Sequence, residues 1–424
     1  MGSRGVSRRQ VLASMGAVAA AGVAAPALAQ AAARVVVIGG GFAGATAARA
    51  IKQIAPGIAV SLVESNRIFT ACPFSNLVIG GLRELAAQQF AYQQIAAGGI
   101  EVVLATAVGV DPAARRVALD NGTTLAYDRL VVAPGIDLKW DALAGYSEAA
   151  AEKMPHAWKA GAQTLLLRRQ LEALEDGGLV IMSVPANPFR CPPGPYERAS
   201  LIANYLKTRK PKSKILILDA KDTFSKQRLF QEAWKDQYPD HLEWVALSKG
   251  GKVTSVDADT MTLVTEFAEY KAAVANVIPP QRAGRIAELA GVADQTGWCA
   301  IDPVSFESKR VQGVHVVGDA TIAGGMPKSA FAANAQAKVC AAAIVHLLAG
   351  RAPPQPKLIN TCYSLVAPNY GISVAGVYEP VNGVLTDVPG AGGLSPAEAS
   401  GSLRAQEALF AQGWFNTITA EVFG

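Results

Sequence analysis

Five cysteines stand in five different settings along this 424-residue chain, and three of those settings suit chemistry. Cys72 follows a strand-like run in Arg67-Ile68-Phe69-Thr70-Ala71-Cys72-Pro73, with a proline behind it and no second cysteine near. Cys191 lies in a stretch crowded with proline, Pro185-Ala186-Asn187-Pro188-Phe189-Arg190-Cys191-Pro192-Pro193-Gly194-Pro195-Tyr196-Glu197. Cys362 opens the C-terminal region in Asn360-Thr361-Cys362-Tyr363. A thiolate is a nucleophile, and two thiols exchange an electron pair as they form or break a disulfide. The odd count allows one or two disulfides and leaves at least one cysteine over. Cys299, behind Trp298 in an apolar stretch, and Cys340, within an Ala-rich run, read as small buried hydrophobes. Glu197, six residues beyond Cys191, is the carboxylate placed to serve as acid or base.

Glycine marks the elements that must position these residues. Arg34-Val35-Val36-Val37-Ile38 reads as a buried parallel strand, and Gly39-Gly40-Gly41-Phe42-Ala43-Gly44 follows as a tight turn into an Ala-rich helix. In G-x-G-x-x-G, Gly39 makes the turn, Gly41 lets the backbone approach a pyrophosphate, and Gly44 lets helix pack on strand. A second strand, Ala59-Val60-Ser61-Leu62-Val63, ends in Glu64, where a carboxylate accepts from adenosine ribose hydroxyls. Together these residues predict a bound dinucleotide.

Two further motifs say which one. Val314-His315-Val316-Val317-Gly318-Asp319-Ala320 is a strand ending in Gly-Asp, and an Ala-rich helix runs from about Ser329 to Leu348. This resembles the second FAD motif of glutathione-reductase-like flavoproteins, in which the residue matching Asp319 holds the ribityl chain. Tyr127-Asp128-Arg129-Leu130-Val131-Val132-Ala133-Pro134-Gly135 resembles the middle motif of the same superfamily. Lys328 and the helix start beside it are expected to stabilise the anionic edge of a reduced flavin. Such proteins carry a second Rossmann unit for a nicotinamide. Here its first strand, Gly178 to Val184, runs into Pro185, Pro188, Arg190, Pro192 and Pro193 where phosphate-facing glycines belong, while Lys214-Ile215-Leu216-Ile217-Leu218-Asp219 survives as a strand. The unit is expected to keep its fold and to have lost its nicotinamide.

The chain ahead of Arg34 has a separate purpose. Ser7-Arg8-Arg9-Gln10-Val11-Leu12 is a twin-arginine pair, an uncharged Ala-rich stretch follows to Ala33, and Ala27-Leu28-Ala29 offers a cleavage site. Export of a folded, cofactor-loaded protein to the periplasm is the expectation. Setting Arg4, Arg8 and Arg9 aside lowers the formal net charge from +5 to +2, a balance that gives no reason to expect nucleic acid as a partner. No integral membrane segment is expected after the signal.

Taken over the whole mature chain, the sequence resembles the flavin-binding subunit of flavocytochrome c sulfide dehydrogenase, a family related to sulfide:quinone reductases. The likeness rests on Cys72-Pro73-Phe74-Ser75-Asn76-Leu77-Val78-Ile79-Gly80-Gly81, Cys191-Pro192-Pro193-Gly194-Pro195-Tyr196-Glu197, Val277-Ile278-Pro279-Pro280-Gln281, Gly318-Asp319-Ala320 and Asn360-Thr361-Cys362-Tyr363. It implies an FAD joined to Cys72 through an 8α-thioether and a redox disulfide between Cys191 and Cys362 beside the flavin. It also implies sulfide as substrate and zero-valent sulfur or polysulfide as product. The chain has no C-x-x-C-H haem attachment, and His156, His241, His315 and His346 are scattered, so the resemblance places haem c on a separate cytochrome subunit. No metal site is expected.

The implied fold is α/β, with two Rossmann-like nucleotide-binding domains of the glutathione-reductase type and a smaller α+β C-terminal interface domain. The expected divisions are a signal at 1–30, FAD-binding segments at 31–144 and 281–354, the degenerate nicotinamide domain at 145–280 and the interface domain at 355–424. Two other readings stay open at this point. A sulfide:quinone reductase would present an amphipathic membrane helix, whereas Leu403 to Phe423 carries a single basic residue, Arg404, and is expected to pack against protein. A non-enzymatic electron-transfer flavoprotein would not react with sulfide.

Overall fold

A computed structural model describes residues 32–424; the twin-arginine segment and its cleavage site lie outside the described residues. The nucleotide-binding sheet is built from β1 (Arg34–Ile38), β2 (Ala59–Glu64), β3 (Glu101–Leu104), β4 (Arg129–Val132) and, from far along the chain, Val314–Val316. All five strands are parallel, with Val314–Val316 beside β4 at one edge and β3 at the other. Val35, Val36 and Val37 are buried, as a parallel strand covered on both faces requires. Between β1 and β2, α1 (Phe42–Ile54) leaves the sheet at the glycine turn. Gly39 sits at φ +101°, and a Cβ there would lie 2.3 Å from the Ala133 carbonyl oxygen. At Gly44 a Cβ would come within 1.8 Å of the Gly39 carbonyl oxygen, so only glycine lets α1 pack this closely.

The second parallel sheet contains β5 (Leu179–Val184), β6 (Lys214–Asp219), Leu242–Val245 and Val274–Val277. Between β5 and β6 lies α2 (Gly194–Arg209), so Glu197 occupies a helix's first turn directly after the proline-rich loop. After β6 comes α3 (Gln227–Gln237), whose N-cap is Lys226 in the left-handed region at φ +62°.

Chain then returns to the first sheet through β7 (Val314–Val316) and α4 (Ala330–Leu348), which packs across α1. By length and composition α4 could cross a membrane, yet half of its most apolar window is buried within the fold and its Lys338 pairs with Glu421 at 2.6 Å. A core helix behaves this way. The C-terminal region is an antiparallel sheet of β8 (Leu358–Ala367), β9 (Tyr370–Val381) and β10 (Val384–Asp387), closed by α5 (Gly401–Phe423). Helix α5 lies on protein: Arg404 and Glu407 form a buried pair, and Phe423 stacks on Phe69 and Phe90 with ring centroids 5.1 Å away in each case.

Candidate active site

One cleft of about 960 Å³ runs from the glycine turn to the three chemically placed cysteines. Gly39, Gly41, Glu64, Gly318, Asp319, Cys72, Cys191, Glu197 and Cys362 all line it. Gly44 acts one layer back, by letting α1 approach. Glu64 closes the turn: its Oε2 accepts from the Gly40 N–H at 2.7 Å and its Oε1 from the Asn66 N–H at 2.8 Å. Asp319 presents a buried Oδ1 with no hydrogen-bond partner, and burial raises its carboxyl pKa against the pull of Arg190 and Lys328. A buried oxygen left without a donor calls for a ligand hydroxyl or a water.

The sulfur end is assembled from three distant motifs. Glu197 Oε2 accepts from Asn76 Nδ2 at 2.9 Å across 121 residues, and Oε1 accepts from the Leu365 N–H at 2.8 Å across 168. Burial raises its pKa, while these two donors, Lys226 and Arg198 oppose the rise. This carboxylate is a clamp in the cleft wall joining the Cys72, Cys191 and Cys362 segments. Cys191 holds its backbone at φ +58° in a tight turn, its N–H donating to the Lys328 carbonyl oxygen at 2.8 Å. Burial pushes the Cys191 thiol far up, with Glu197 and Cys362 adding to the shift and Arg190 and Lys226 opposing it. Cys191 and Cys362 are free thiols here, so the bond implied by the resemblance is not formed in this structure, although both residues line the same cleft. Cys72 is half-buried on the cleft wall, its sulfur 3.8 Å from the Trp158 carbonyl oxygen. Cys299 and Cys340 are fully buried in the core.

Lys328 is not where the sequence suggested. Its ammonium donates to the carbonyl oxygens of Asp319 at 2.9 Å and Thr321 at 2.5 Å, stands 3.9 Å from the Trp298 ring centroid, and does not line the cleft. It braces the loop that carries Asp319. The helix N-terminus beside it does reach the cleft, through Ser329, Ala330 and Phe331, with the Ser329 hydroxyl capping the Ala332 N–H. Arg190 does line the cleft, together with Lys159, Arg198 and Arg285, and it is the one that faces Asp319, with Nη1 3.9 Å from Asp319 Oδ2 and Nη2 donating to the Trp158 carbonyl oxygen. Sequence reasoning had used Arg190 only as an obstacle to a pyrophosphate. It also missed Arg198, which is 2% exposed and bonded to Asn76, Asn276 and the carbonyl oxygens of His156 and Ala157. Burial lowers the Arg198 pKa to about 10 and that of His156 to about 3. Arginine on the first face of a helix that follows a cysteine loop was the available signal.

Comparison with known proteins puts a family to this geometry. Residues 164–279 match the central domain of the sulfide dehydrogenase [flavocytochrome c] flavoprotein chain, 354–423 match flavocytochrome c sulphide dehydrogenase, flavin-binding, and 33–161 match pyridine nucleotide-disulphide oxidoreductase. A sulfide dehydrogenase [flavocytochrome c] flavoprotein chain of Chlorobaculum thiosulfatiphilum is 53% identical over 45 residues, 11% of this chain and 94% of that sequence. The chain belongs to the flavocytochrome c sulfide dehydrogenase flavoprotein family. It is a flavoprotein and a sulfide-oxidising oxidoreductase. Mitochondrial sulfide:quinone oxidoreductase of Mus musculus is 23% identical over 323 residues, 72% of this chain and 68% of that one. The fold is shared with the sulfide:quinone oxidoreductase of Aquifex aeolicus, at a TM-score of 0.73 and 18% identity over 92% of each chain.

The cleft fits the family's FAD on two local grounds, the orphaned Asp319 Oδ1 and the side-chain-free backbone of Gly39, Gly40 and Gly41 in its lining. The second sheet offers no such room. Asp219, at the strand end where a nucleotide ribose is usually held, accepts from Tyr196 at 2.6 Å and Trp244 at 3.0 Å and pairs with Lys221 at 2.6 Å. Tyr196 stacks on Phe224 at 3.6 Å, filling the adjoining space. NADH and NADPH should therefore leave the flavin oxidised in anaerobic stopped-flow spectra, and saturable bleaching by either would overturn this reading.

Proposed function

We propose that this protein is a periplasmic sulfide dehydrogenase that oxidises sulfide to zero-valent sulfur or polysulfide through a Cys191–Cys362 disulfide, holds FAD covalently through Cys72, and delivers electrons to a c-type cytochrome subunit. The observation carrying the proposal is the meeting of Cys72, Cys191 and Cys362 in the cleft that also holds Asp319 and the glycine turn. Hydrosulfide attacks one sulfur of the disulfide; that S–S bond breaks, a cysteine persulfide forms, and the other cysteine leaves as a thiolate. Glu197 stands against the pair as the group to take the hydrosulfide proton. When bound, FAD would supply the two-electron acceptor that lets the leaving thiolate and the persulfide remake the disulfide as zero-valent sulfur and a proton depart, and a one-electron donor to the cytochrome. Gly39, Gly41, Glu64, Gly318 and Asp319 would hold that FAD, while Lys328 acts behind Asp319.

Anaerobic addition of sulfide should bleach the flavin, and a co-purified c-type cytochrome added next should turn its haem ferrous. A flavin unaffected by sulfide would leave only a non-enzymatic electron carrier. Prompt reduction of a water-soluble quinone with no reduction of the cytochrome would favour the quinone-linked alternative. Glu197 also predicts a pH dependence. A base is active deprotonated, so with its pKa raised by burial the bleaching rate at equal hydrosulfide should fall on acidification before an ordinary carboxylate would titrate. Glu197→Gln, which retains one acceptor oxygen, should flatten that acid limb. An unchanged limb would remove Glu197 from the proton transfer.

A further inference from the structure

Strand β8 turns one face toward a cation that no sequence motif announces. Asn360, Cys362 and Ser364 alternate onto the same side of the strand, as period two requires. Lys226 reaches that side from the cap of α3: its Nζ donates to Ser364 Oγ at 2.7 Å and to the Cys362 carbonyl oxygen at 2.8 Å. Lys226 is 5% exposed and both of these acceptors are neutral, so this ammonium is buried without a hydrogen-bonded carboxylate. From the other end of the same face, Asn360 Nδ2 donates to Cys362 Sγ at 3.3 Å. The Asn360 amide is oriented by Ser329, whose hydroxyl caps Ala332 and donates its own hydrogen to Asn360 Oδ1 at 2.6 Å. A buried donor on the sulfur and a buried cation beside it both favour a negative charge there.

We propose that Lys226 and Asn360 are positioning residues that hold the Cys362 sulfur as an anion, making Cys362 the leaving thiolate and Cys191 the acceptor of the substrate sulfur. This rests on the disulfide reading above. In the exchange, the hydrosulfide sulfur bonds to Cys191 Sγ, the Cys191–Cys362 bond breaks, and its electron pair stays on Cys362. The better-stabilised thiolate leaves faster, and the environments of the two sulfurs differ in that direction. Cys191 has Glu197 close by, and burial holds its thiol far up although Arg190 and Lys226 pull the other way, whereas the Cys362 sulfur accepts an N–H from Asn360 and the Cys362 backbone carbonyl fixes the Lys226 ammonium against that residue. The other charged or titratable groups around the pair are Arg190 on the loop, Glu197 and Arg198 on α2, Tyr378 on β9 and Glu407 on α5. Burial lowers the Lys226 pKa to about 8, so its charge, and the preference it creates, should fade above that pH.

The test uses the whole flavoprotein, reduced with a phosphine under anaerobic conditions, with iodoacetamide as probe and peptide mass spectrometry as readout. Cys362 should be alkylated at least about tenfold faster than Cys191 at neutral pH, because the thiolate is the reactive form. Lys226→Met and Asn360→Ala should each remove most of that preference, and Lys226→Arg should restore it, which a merely structural role would not produce. Equal alkylation rates in the wild type, or a preference indifferent to Lys226→Met in a variant with unchanged flavin absorbance, would overturn the inference. The underlying reading is checked separately by a non-reducing peptide map of the oxidised enzyme. A map without the Cys191–Cys362 bond defeats the disulfide and this inference together, while a bonded pair with symmetric thiols defeats this inference alone.

Discussion

Cys191→Ser and Cys362→Ser enzymes should fold, keep their flavin, and lose sulfide-driven bleaching by about two orders of magnitude or more, since no electrophilic sulfur remains for hydrosulfide to attack. The structural alternative predicts a different result. A bond that only stapled α2's loop to β8 would cost about 2–4 kcal/mol of stability when removed and leave turnover per folded molecule nearly intact. Glu197 already ties α2 to the Leu365 backbone of β8, and Lys226 fixes Cys362 and Ser364 of the same strand to the cap of α3, in the absence of an S–S bond. The variants should therefore remain folded, and the kinetic loss can be read without correction for unfolding. Dithionite-reduced flavin in either variant should still pass electrons to the cytochrome. Wild-type sulfide kinetics in one of them would end the proposed mechanism.

Cys72→Ser should abolish retention of the flavin through acid precipitation. In the wild type the yellow chromophore should stay with the precipitated polypeptide, and tryptic digestion should leave it on the peptide containing Cys72. A small core hydrophobe would be enclosed on all sides, whereas Cys72 is half-buried, lines the cleft and shares its wall with Trp158, Arg190 and Asp319. An 8α-thioether would also shift the flavin's potential, so the variant reconstituted with FAD should differ in midpoint potential as well as in retention. Free FAD recovered entirely in the wild-type supernatant would sink the tether.

Much of the fold was legible in the sequence because its signals are local. The run from Val35 to Ile38, the positive-φ Gly39 and the small Gly44 dictate a buried strand, a tight turn and a close-packed helix from adjacent residues alone. The Gly318-Asp319 turn is equally local, and it delivered an aspartate with a vacant oxygen to the cleft. Prolines in the second unit led to the expectation that no nicotinamide binds there. Only the structure showed Tyr196, Trp244 and Lys221 converging on Asp219 from three separate elements.

Side-chain direction and charge placement were decided by tertiary packing. Lys328 stands next to a helix N-terminus in sequence, yet two carbonyl oxygens and the Trp298 ring draw its ammonium away from the cleft. Arg190, which looked like mere obstruction, faces Asp319 instead. Glu197 acquires its clamp from Asn76 and Leu365, and Cys362 acquires a cation from Lys226, 136 residues earlier in the chain. A residue's backbone state follows largely from its neighbours in sequence, which is why strands, turns and cysteine loops could be placed in advance. The charge that a sulfur meets depends on which distant helix cap is buried beside it, and only the folded chain makes that choice.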